Sequence, residues 1–475
     1  MDQMEIDPKD SFSFYEEFKD IQFGDKRLNK RFRCLAQEFY KRPSSAIPTA
    51  SGSWSKTIGA YRMFNNSKIA CEEIIRSHGV QLGKRIDQYD KVICPQDTTS
   101  LSFGTHLAVE EMGSIAQGKY GSRGKGLFCH TTLVMNPEGL PLGVMLQTIW
   151  SRKQLTTHDE LFYTEQAKWK MSLDQVIEAS KLSPKTKFIM IGDRENDFND
   201  FILRALNHKI SFVIRAKTVR VSANDDKPIV EVLKSQTPKG ALTIDIKYES
   251  PRSGKKPGGK AARKAHLNIY ADSFQLKIPK SKVQEKIPED FQIHAVLAHE
   301  PNPPEGSEPI TWLLFTDEPV KDFSKAHEVI ETYRMRWKIE IFHKIMKSGC
   351  KIEECRLESI AKLKRYITLK SIVAYRLLYL VEAARKTPTE DCTKILKPHE
   401  WKALHLKLNQ GKPLPKKPPT IKEALILVAR LGGFLARKSD GDPGPVVLWR
   451  GWQRLQDYAE MFAITNSPEF TETCV

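Results

Sequence analysis

Apolar residues recur at helical spacing near the beginning of the chain. After Asp25, a residue type that caps helices, one set follows at intervals of three or four positions, namely Leu28, Phe32, Leu35 and Phe39. This spacing predicts a helix with one buried face, and Pro43 ends it. A shorter helix is predicted from a second set, namely Trp54, Ile58, Tyr61 and Phe64. The chain therefore begins with a helical unit, to which we assign residues 1–70.

The pattern changes to strands after Tyr89. Apolar runs at 91–97 and 187–193 predict buried strands, each ending in an aspartate, Asp97 and Asp193. The runs at 126–135 and 140–150 flank the turn sequence NPEG and predict a hairpin. Five more strand-like runs lie between 210 and 316. We assign 71–390 to a catalytic domain with a β-rich insertion at 210–320, in which the Gly/Lys-rich segment 252–265 predicts a basic loop.

Helical spacing returns in the last third of the chain. A Pro/Lys-rich linker at 408–420 precedes the final helices, and 391–475 is assigned to a C-terminal helical domain. An apolar stripe recurs in the last helix, namely Leu448, Trp452, Leu455 and Tyr458. Periodicity identifies this stripe as a core face or a dimer face and does not choose between them.

The charge of the chain indicates a polyanionic partner. Its 475 residues carry 75 Lys and Arg against 58 Asp and Glu, a net charge of +17. Nucleic acid is the first candidate. In the N-terminal unit the predicted phosphate contacts are Arg27, Lys30, Arg31, Lys41, Arg42 and Arg62. The alternative is a solvated basic bundle without a specific target.

The sequence also bears on location. No apolar run reaches the ~20 residues of a membrane-spanning helix, and the first residues are acidic and polar, unlike a signal peptide. The eight cysteines are scattered without zinc-type spacing, as in reduced cytosolic proteins. We expect a soluble, cytoplasmic, nucleoid-associated bacterial protein.

The most informative stretch is YRMRWKIEIFHKIMK at 333–347. Its residues Tyr333, Arg336, Glu340 and Lys347 are spaced to share one face of a helix that begins near Asp322 or Ser324, with Trp337 and Lys344 in the intervening turns. One carboxylate among several cations suits a polyanion better than a core. The alternative is an exposed helix with an ordinary Arg336–Glu340 pair.

Three acidic residues are candidates for chemistry: Asp97, Asp193 and Glu340. Each aspartate, taken alone, could simply cap a helix. An RNase H-like α/β sheet would gather all three, and clustered carboxylates of this kind suit hard divalent cations such as Mg²⁺. A pair of such ions, Mg²⁺ or Mn²⁺, supports in-line phosphoryl transfer without a covalent nucleophile.

The Tyr-x2-Arg-x3-Glu-x6-Lys spacing resembles the YREK motif of bacterial cut-and-paste DDE transposases of the insertion-sequence type. The runs QDTTSL, GDREND, FVIRAK, ITWLLFTDEPV and ARLGGF are similar to the same family. The resemblance implies an RNase H-like core between an N-terminal helical DNA-end-binding domain and a C-terminal helical dimerisation domain. It also implies a homodimer that pairs two transposon ends, excises the element by nicking and hairpin formation, and joins the 3′ ends to target DNA.

Residue roles follow from the same resemblance. It implies that Asp97, Asp193 and Glu340 hold two metal ions and that Tyr333, Arg336 and Lys347 bind phosphates. Trp312 would receive a flipped base, assisted by Arg215 and Trp337, with Lys217 and Lys344 as further DNA contacts. From its apolar surroundings alone, Trp312 could equally be a core residue. Two rival functions stay open: a catalytically inactive DNA-binding regulator of transposition, and an RNase H-like nuclease.

Overall fold

The computed structural model describes residues 14–104, 109, 112–115, 124–152, 166–246, 262–279, 283–288 and 291–466. Its helices are α1 Lys26–Lys41, α2 Ile47–Ser51, α3 Trp54–Asn65, α4 Cys71–Ile86, α5 Ala167–Leu182, α6 Asn199–Asn207, α7 Ile229–Lys234, α8 Phe323–Arg334, α9 Trp337–Lys344, α10 Ile360–Lys386, α11 Pro398–Leu408, α12 Ile421–Leu431 and α13 Pro445–Thr465. Its strands are β1 Lys91–Ser102, β2 Gly113–Ser114, β3 Lys125–Met135, β4 Pro141–Trp150, β5 Lys187–Gly192, β6 Ser211–Arg215, β7 Gly240–Ile246, β8 Arg263–Phe274, β9 Ile293–His299 and β10 Thr311–Thr316.

The chain divides into two compact units. One contains residues 1–92, 98–161 and 338–475, and the other contains residues 93–97 and 162–337. Strand β1 therefore contributes residues to both units, and the second division falls within α9, after Trp337. Among the described residues, no helix is long and apolar enough to cross a membrane.

The first unit joins the two ends of the chain around one long helix. Helix α10 is buried along most of its length, and it packs against α1, α4 and α12. The predicted first helix is confirmed as α1: Asp25 caps it by accepting a bond from the Arg27 N–H at 2.8 Å, and Phe32 and Phe39 are buried. The Trp452 indole N–H of α13 donates to the Tyr40 carbonyl at 2.9 Å. The last helix therefore completes the core of the N-terminal helices.

The second unit is a mixed sheet covered by helices. Its strand order is β1-β5-β6-β10-β9-β8-β7, in which β5 and β6 are parallel and the pairs from β6 onward are antiparallel. The β-rich stretch after residue 210 thus extends the sheet of β5. Helix α8 packs Val329 and Ile330 against this sheet, in one core with Ile93 and Ile191. Asp97 lies in β1, and Asp193 directly follows the neighbouring strand β5.

Several predicted elements agree with the structure. The β3–β4 hairpin is confirmed, and its NPEG turn is closed by the Leu140 N–H donating to the Asn136 side-chain oxygen at 2.7 Å. Strand β5 ends at Gly192, directly before Asp193. The basic loop predicted for 252–265 lies largely outside the described residues.

Two predictions about the site elements were wrong. Asp97 does not end its strand, because β1 continues to Ser102. The β-branched threonines after Asp97 suit a strand, and here β1 pairs along β3. Thr98 shows this pairing directly, with its Oγ1 2.9 Å from His130 Nδ1 of β3.

Residues 333–347 also do not form one continuous helix. Helix α8, capped by Asp322, ends at Arg334, and the N–H of Arg336 bonds to the Tyr333 carbonyl, only three residues back. A π-helical turn follows α9 at Ile345–Gly349, where the Cys350 N–H bonds to the Ile345 carbonyl. Because the first turn is tighter and the second wider than an α-helical turn, the regular 100° spacing does not hold across the motif.

The second apolar set is confirmed as a helix, α3, but not all of its aromatic residues are buried. In α3, Phe64 is buried as expected, but Trp54 is 79% exposed and Tyr61 is exposed as well. The buried face instead contains Ala60 and Met63 beside Phe64.

Candidate active site

Asp97 of β1 contacts a cation from the predicted YREK motif, Arg336. The Nη1 atom of Arg336 lies 3.6 Å from Asp97 Oδ2. Both side chains are largely covered, with 13% of the arginine and 21% of the aspartate exposed to solvent. This ion pair connects the loop after α8 to the sheet within the second unit. The carboxylate is thus both accessible and held beside a positive charge.

Asp193 follows the neighbouring strand β5. Its Oδ1 accepts a bond from the Glu195 N–H at 2.8 Å and caps the short 3-10 helix Arg194–Asn196. The capping role considered from the sequence is therefore real. The cap bond also fixes the carboxylate at the end of β5, because it ties the side chain to the turn that follows.

Cations converge on the phenol of Tyr333, which is the last but one residue of α8. Tyr333 is buried, and burial raises the pKa of its phenol. The negative charge of Asp193 also raises this pKa, whereas the positive charges of Arg336 and Arg215 lower it. For Arg215, burial lowers the pKa of the guanidinium, and the charges of Arg194 and Arg336 lower it further. Arg336 and Arg215 lie near this phenol and Arg194 lies near Arg215, so this part of the unit is strongly attractive to phosphate.

Two tryptophans border this cation cluster. The ring of Trp312, on β10, lies 6.4 Å from the Tyr333 ring in an edge-to-face arrangement, and it is partly buried. Trp337 is 59% exposed, and the Arg336 guanidinium carbon lies 5.6 Å from its ring centre. Trp312 is therefore not an internal core residue, and Trp337 presents an aromatic face to solvent.

Lys217 is positioned by a buried ion pair. The carboxylate of Asp197 accepts from the Lys217 N–H at 2.7 Å and from the Arg220 guanidinium at 2.5 to 3.1 Å. Asp197 is almost completely buried, so this contact holds the backbone after β6 firmly. The side chain of Lys217 is exposed.

The remaining motif residues belong to the first unit. Glu340 is half-buried in α9, Lys344 is exposed at the end of that helix, and Lys347 lies in the π-helical turn. Helix α9 is anchored by an ion pair between Lys338 and the buried Glu382 of α10. Over the described ranges, no group of three or more His, Cys, Asp or Glu forms a cluster that could hold a metal ion.

The basic residues of the N-terminal helices fall into two groups. Arg27, Lys30, Arg31 and Arg62 are exposed. Arg31 lies across α3 at Gly59, where an added Cβ would be 3.6 Å from its Nε. Arg42, in contrast, bonds to Glu38 at 3.3 Å, Glu460 at 3.1 Å and Asp457 at 3.4 Å. Lys41 is partly covered, 4.0 Å from Glu38.

Two residues of the candidate site were not predicted from the sequence. Arg194 contributes to the cation cluster, and Asp197 holds Lys217 in place. Arg194 could have been noticed, since it directly follows a candidate metal ligand. Nothing in the sequence pairs Asp197 with Arg220, because that contact depends on how the loop after β6 packs.

Three family models match the chain. Transposase DNA-binding matches residues 13–69, the transposase DDE domain matches residues 164–377, and the transposase Tn5 dimerisation domain matches residues 372–473. Asp193 and Glu340 lie inside the DDE match, and Asp97 precedes it. The fold and these domains define a DDE transposase, an enzyme of metal-dependent DNA cleavage and transfer.

The domain composition is more specific than the class. With DNA-binding, DDE and Tn5-type dimerisation domains in this order, the chain is a Tn5-like DDE transposase. The predicted fold class, an α/β RNase H-like core between helical ends, is confirmed. The same domains imply DNA as a partner, a homodimer and dependence on a divalent metal.

Proposed function

We propose that this transposase binds the terminal repeats of its element, excises it by nicking and hairpin formation, and joins the 3′ ends to target DNA. The observation that carries the proposal is the Arg336–Asp97 ion pair beside the Tyr333 cation cluster. This pair lies within one unit and supports a shared role for Asp97 and two of the proposed phosphate ligands, Arg336 and Tyr333. We propose that the motifs resemble those of the transposase of the composite kanamycin-resistance transposon five.

The donor chemistry of the site fits Mg²⁺. Asp97, in β1, and Asp193, directly after the adjacent strand β5, offer carboxylate oxygens, and Asp97 keeps part of its surface exposed. We propose Glu340 as the third ligand. The chemistry that a pair of Mg²⁺ ions supplies in such a site is activation of a water or 3′-OH and stabilisation of the leaving oxygen. Mn²⁺ has the same ligand preferences and is expected to substitute.

The protein's own residues bind and orient the DNA strand. Arg336 and Arg215 are placed to bind phosphate oxygens through their guanidinium groups, with the Tyr333 hydroxyl as a further donor. When a phosphate binds, Arg336 is expected to exchange its contact with Asp97 for the phosphate, which leaves the carboxylate to a cation. Lys347 and Lys344 are proposed as further phosphate contacts, and Lys217 as a contact on the loop after β6.

Hairpin formation requires the DNA to bend sharply at the end of the cut strand, and one base leaves the stack when the DNA bends. Trp312 and Trp337 supply aromatic faces beside the cation cluster, and stacking on such a face offsets about 1–3 kcal/mol per base. We propose Trp312 as the residue that receives the base, because it already makes an edge-to-face contact with Tyr333. Trp337 and Arg215 would assist.

The two ends of the chain are proposed to serve assembly. Repeat DNA is proposed to contact four exposed residues, namely Arg27, Lys30, Arg31 and Arg62. The partly covered Lys41 is proposed as a fifth contact. Arg42 has a weaker case, since three carboxylates already neutralise it. The proposed domains are the N-terminal DNA-binding domain at 1–70, the catalytic domain at 71–390 and the C-terminal dimerisation domain at 391–475. A homodimer holding paired ends in the bacterial cytoplasm, on the nucleoid, completes the proposal.

The test is cleavage of DNA that carries the repeats flanking the gene. Wild-type protein with Mg²⁺ should nick, form hairpins and join 3′ ends to a plasmid, whereas chelation should abolish all steps. Asp97→Ala, Asp193→Ala and Glu340→Ala should bind the same DNA without cutting it. Glu178→Ala, at an exposed site on α5, is the matched control and should retain activity. An Asp193→Ala protein that still cuts would overturn the mechanism.

Band shifts separate the rivals. Repeat binding by the wild-type protein without any metal-dependent cleavage would identify a regulator. Cleavage without joining of 3′ ends to target DNA would identify a nuclease.

A further inference from the structure

Two buried amide side chains lie next to the two aspartates. Gln96 precedes Asp97 in β1, and Asn196 lies three residues after Asp193; both are completely buried. Within the part of the chain that the structure describes, neither the amide oxygen nor the amide nitrogen of either side chain has a hydrogen-bond partner. Buried amides are normally hydrogen-bonded, so two unpartnered ones beside an active site require an explanation.

The two amides are placed on the same side of the sheet. Successive residues of a strand point to opposite faces, so Gln96 points away from the face that Asp97 shares with Ile93. That face is covered by α8, since Ile93 and Ile191 share a core with Val329 and Ile330. Gln96 is buried on the opposite face.

The side chain of Asn196 lies on that opposite face, packed against Gly192. By the same alternation, Gly192 and Ile191 of β5 point to opposite faces, so Gly192 is on the side of Gln96. A Cβ added to Gly192 would lie 2.4 Å from Asn196 Nδ2, which means that the asparagine side chain occupies the space a side chain at 192 would fill. The Asn196 N–H donates to the Asp193 carbonyl at 3.1 Å and closes the turn. The side chain of Asn196 therefore lies behind the turn that holds the Asp193 carboxylate.

We infer that Gln96 and Asn196 form a positioning pair behind the metal-binding aspartates, an inference that rests on the proposed function. Both amides lie on one side of the sheet, Gln96 in β1 and Asn196 in the turn after the neighbouring strand β5, and one buried water between them would give each amide the partner it lacks. Such a link sets the spacing of the ends from which Asp97 and Asp193 project. Neither amide touches the metal or the DNA; both act through the aspartates.

The test is metal affinity rather than folding. Mn²⁺ binding is titrated by the electron paramagnetic resonance signal of free Mn²⁺, on full-length protein bound to repeat DNA and corrected with DNA alone. Gln96→Met and Asn196→Ala should each raise the Mn²⁺ dissociation constant about three- to tenfold, as expected when one member of a hydrogen-bonded pair is lost. The double variant should bind no more weakly than either single variant, because each change removes the same link.

Two controls make the outcome decisive. Ser77→Ala removes a buried hydroxyl that also has no partner among the described residues, but in α4; it should leave Mn²⁺ affinity unchanged. If Asn196→Ala does not fold, as judged by circular dichroism, Asn196→Ser takes its place. Wild-type affinity in both single variants, or additive losses in the double variant, would overturn the inference. The proposed function fails separately, if Asp193→Ala still cuts DNA.

Discussion

Arg336 Nη1 lies 3.6 Å from Asp97 Oδ2, so a residue of the YREK motif is paired with a strand carboxylate 239 positions earlier (336 − 97). The pair keeps the carboxylate next to positive charge while no phosphate is bound. It also places the arginine where it can release the acid and bind a phosphate oxygen. The first prediction follows from this exchange.

Replacing Arg336 should slow chemistry more than binding. Arg336→Ala is expected to reduce the nicking rate about 10²- to 10³-fold, since the loss of one preorganised charged donor has effects of that size. Arg336→Lys should recover only part of the rate, because a lysine cannot bind in the two-pronged manner of a guanidinium. Single-turnover nicking on prebound DNA measures the effect. Arg334→Ala, exposed two residues earlier, is the control, and an equal loss there would contradict the assignment.

Trp312 should matter for one step only. Trp312→Ala is expected to slow hairpin formation about 10- to 100-fold, the size of one lost stacking contact, while first-strand nicking is little changed. Trp312→Phe keeps an aromatic face and should retain most of the rate. Denaturing gels that resolve nicked and hairpin products on one substrate measure both steps. Equal slowing of nicking and hairpin formation would show that Trp312 supports the fold instead.

Arg31 and Arg42 should differ in their salt dependence. Arg31→Ala is expected to weaken repeat binding and to reduce the slope of log affinity against log salt by about 1, because one phosphate contact is lost. Arg42→Ala should leave that slope unchanged, since its guanidinium contacts Glu38, Asp457 and Glu460. Fluorescence anisotropy across a salt series provides the slopes. A slope change of the same size for Arg42→Ala would show that these ion pairs open on DNA.

Removing the Asp25 cap of α1 should measurably lower the stability of the protein. Asp25→Ala removes the acceptor of the Arg27 N–H and should lower the free energy of unfolding by about 1 kcal/mol. In a chain of 475 residues the unfolding entropy is about 1 kcal/mol/K, so a change of that magnitude corresponds to a decrease in Tm of about 1 °C. Asp25→Ser retains a capping oxygen and should stay near the wild-type Tm. Differential scanning calorimetry compares the three proteins, and an unchanged Tm for Asp25→Ala would mean that packing alone holds α1.

Acid should destabilise the chain through His343. Burial lowers the pKa of its imidazole to about 3, with a further contribution from Lys347. The unfolded chain takes up a proton near pH 6.5, whereas the folded chain does not until about pH 3, so acid favours unfolding in this window. The stability that neutral His343 contributes is complete above pH 6.5 and is lost as the pH falls toward 3.

His343→Gln should therefore show a smaller decrease in Tm between pH 7.5 and pH 5.5, both chosen around the ~6.5 pKa of a free histidine. His327→Gln, at a solvent-exposed position of α8, is the control and should retain the wild-type decrease. If His343→Gln loses as much stability in acid as the wild type, other groups are responsible for the pH dependence.

Local patterns in the sequence predicted the elements that depend on near neighbours. Helix α1 with its Asp25 cap, the β3–β4 hairpin and the end of β5 before Asp193 are all set by residues a few positions apart. Their hydrogen bonds and apolar faces are formed within one segment, so the segment carries the information. The transposase class could likewise be inferred, because the YREK spacing is itself a local pattern.

The sequence by itself thus determined the class of enzyme and the candidate acids, while the tertiary structure decided how the site is assembled. That β1 runs on past Asp97, that the helix breaks before Arg336, and that Arg194 joins the cation cluster all depend on contacts between distant segments. The same is true of Arg42, whose charge is neutralised by carboxylates of α13. Such contacts form only when separate elements pack, because burial and charge pairing act between surfaces that no local spacing specifies.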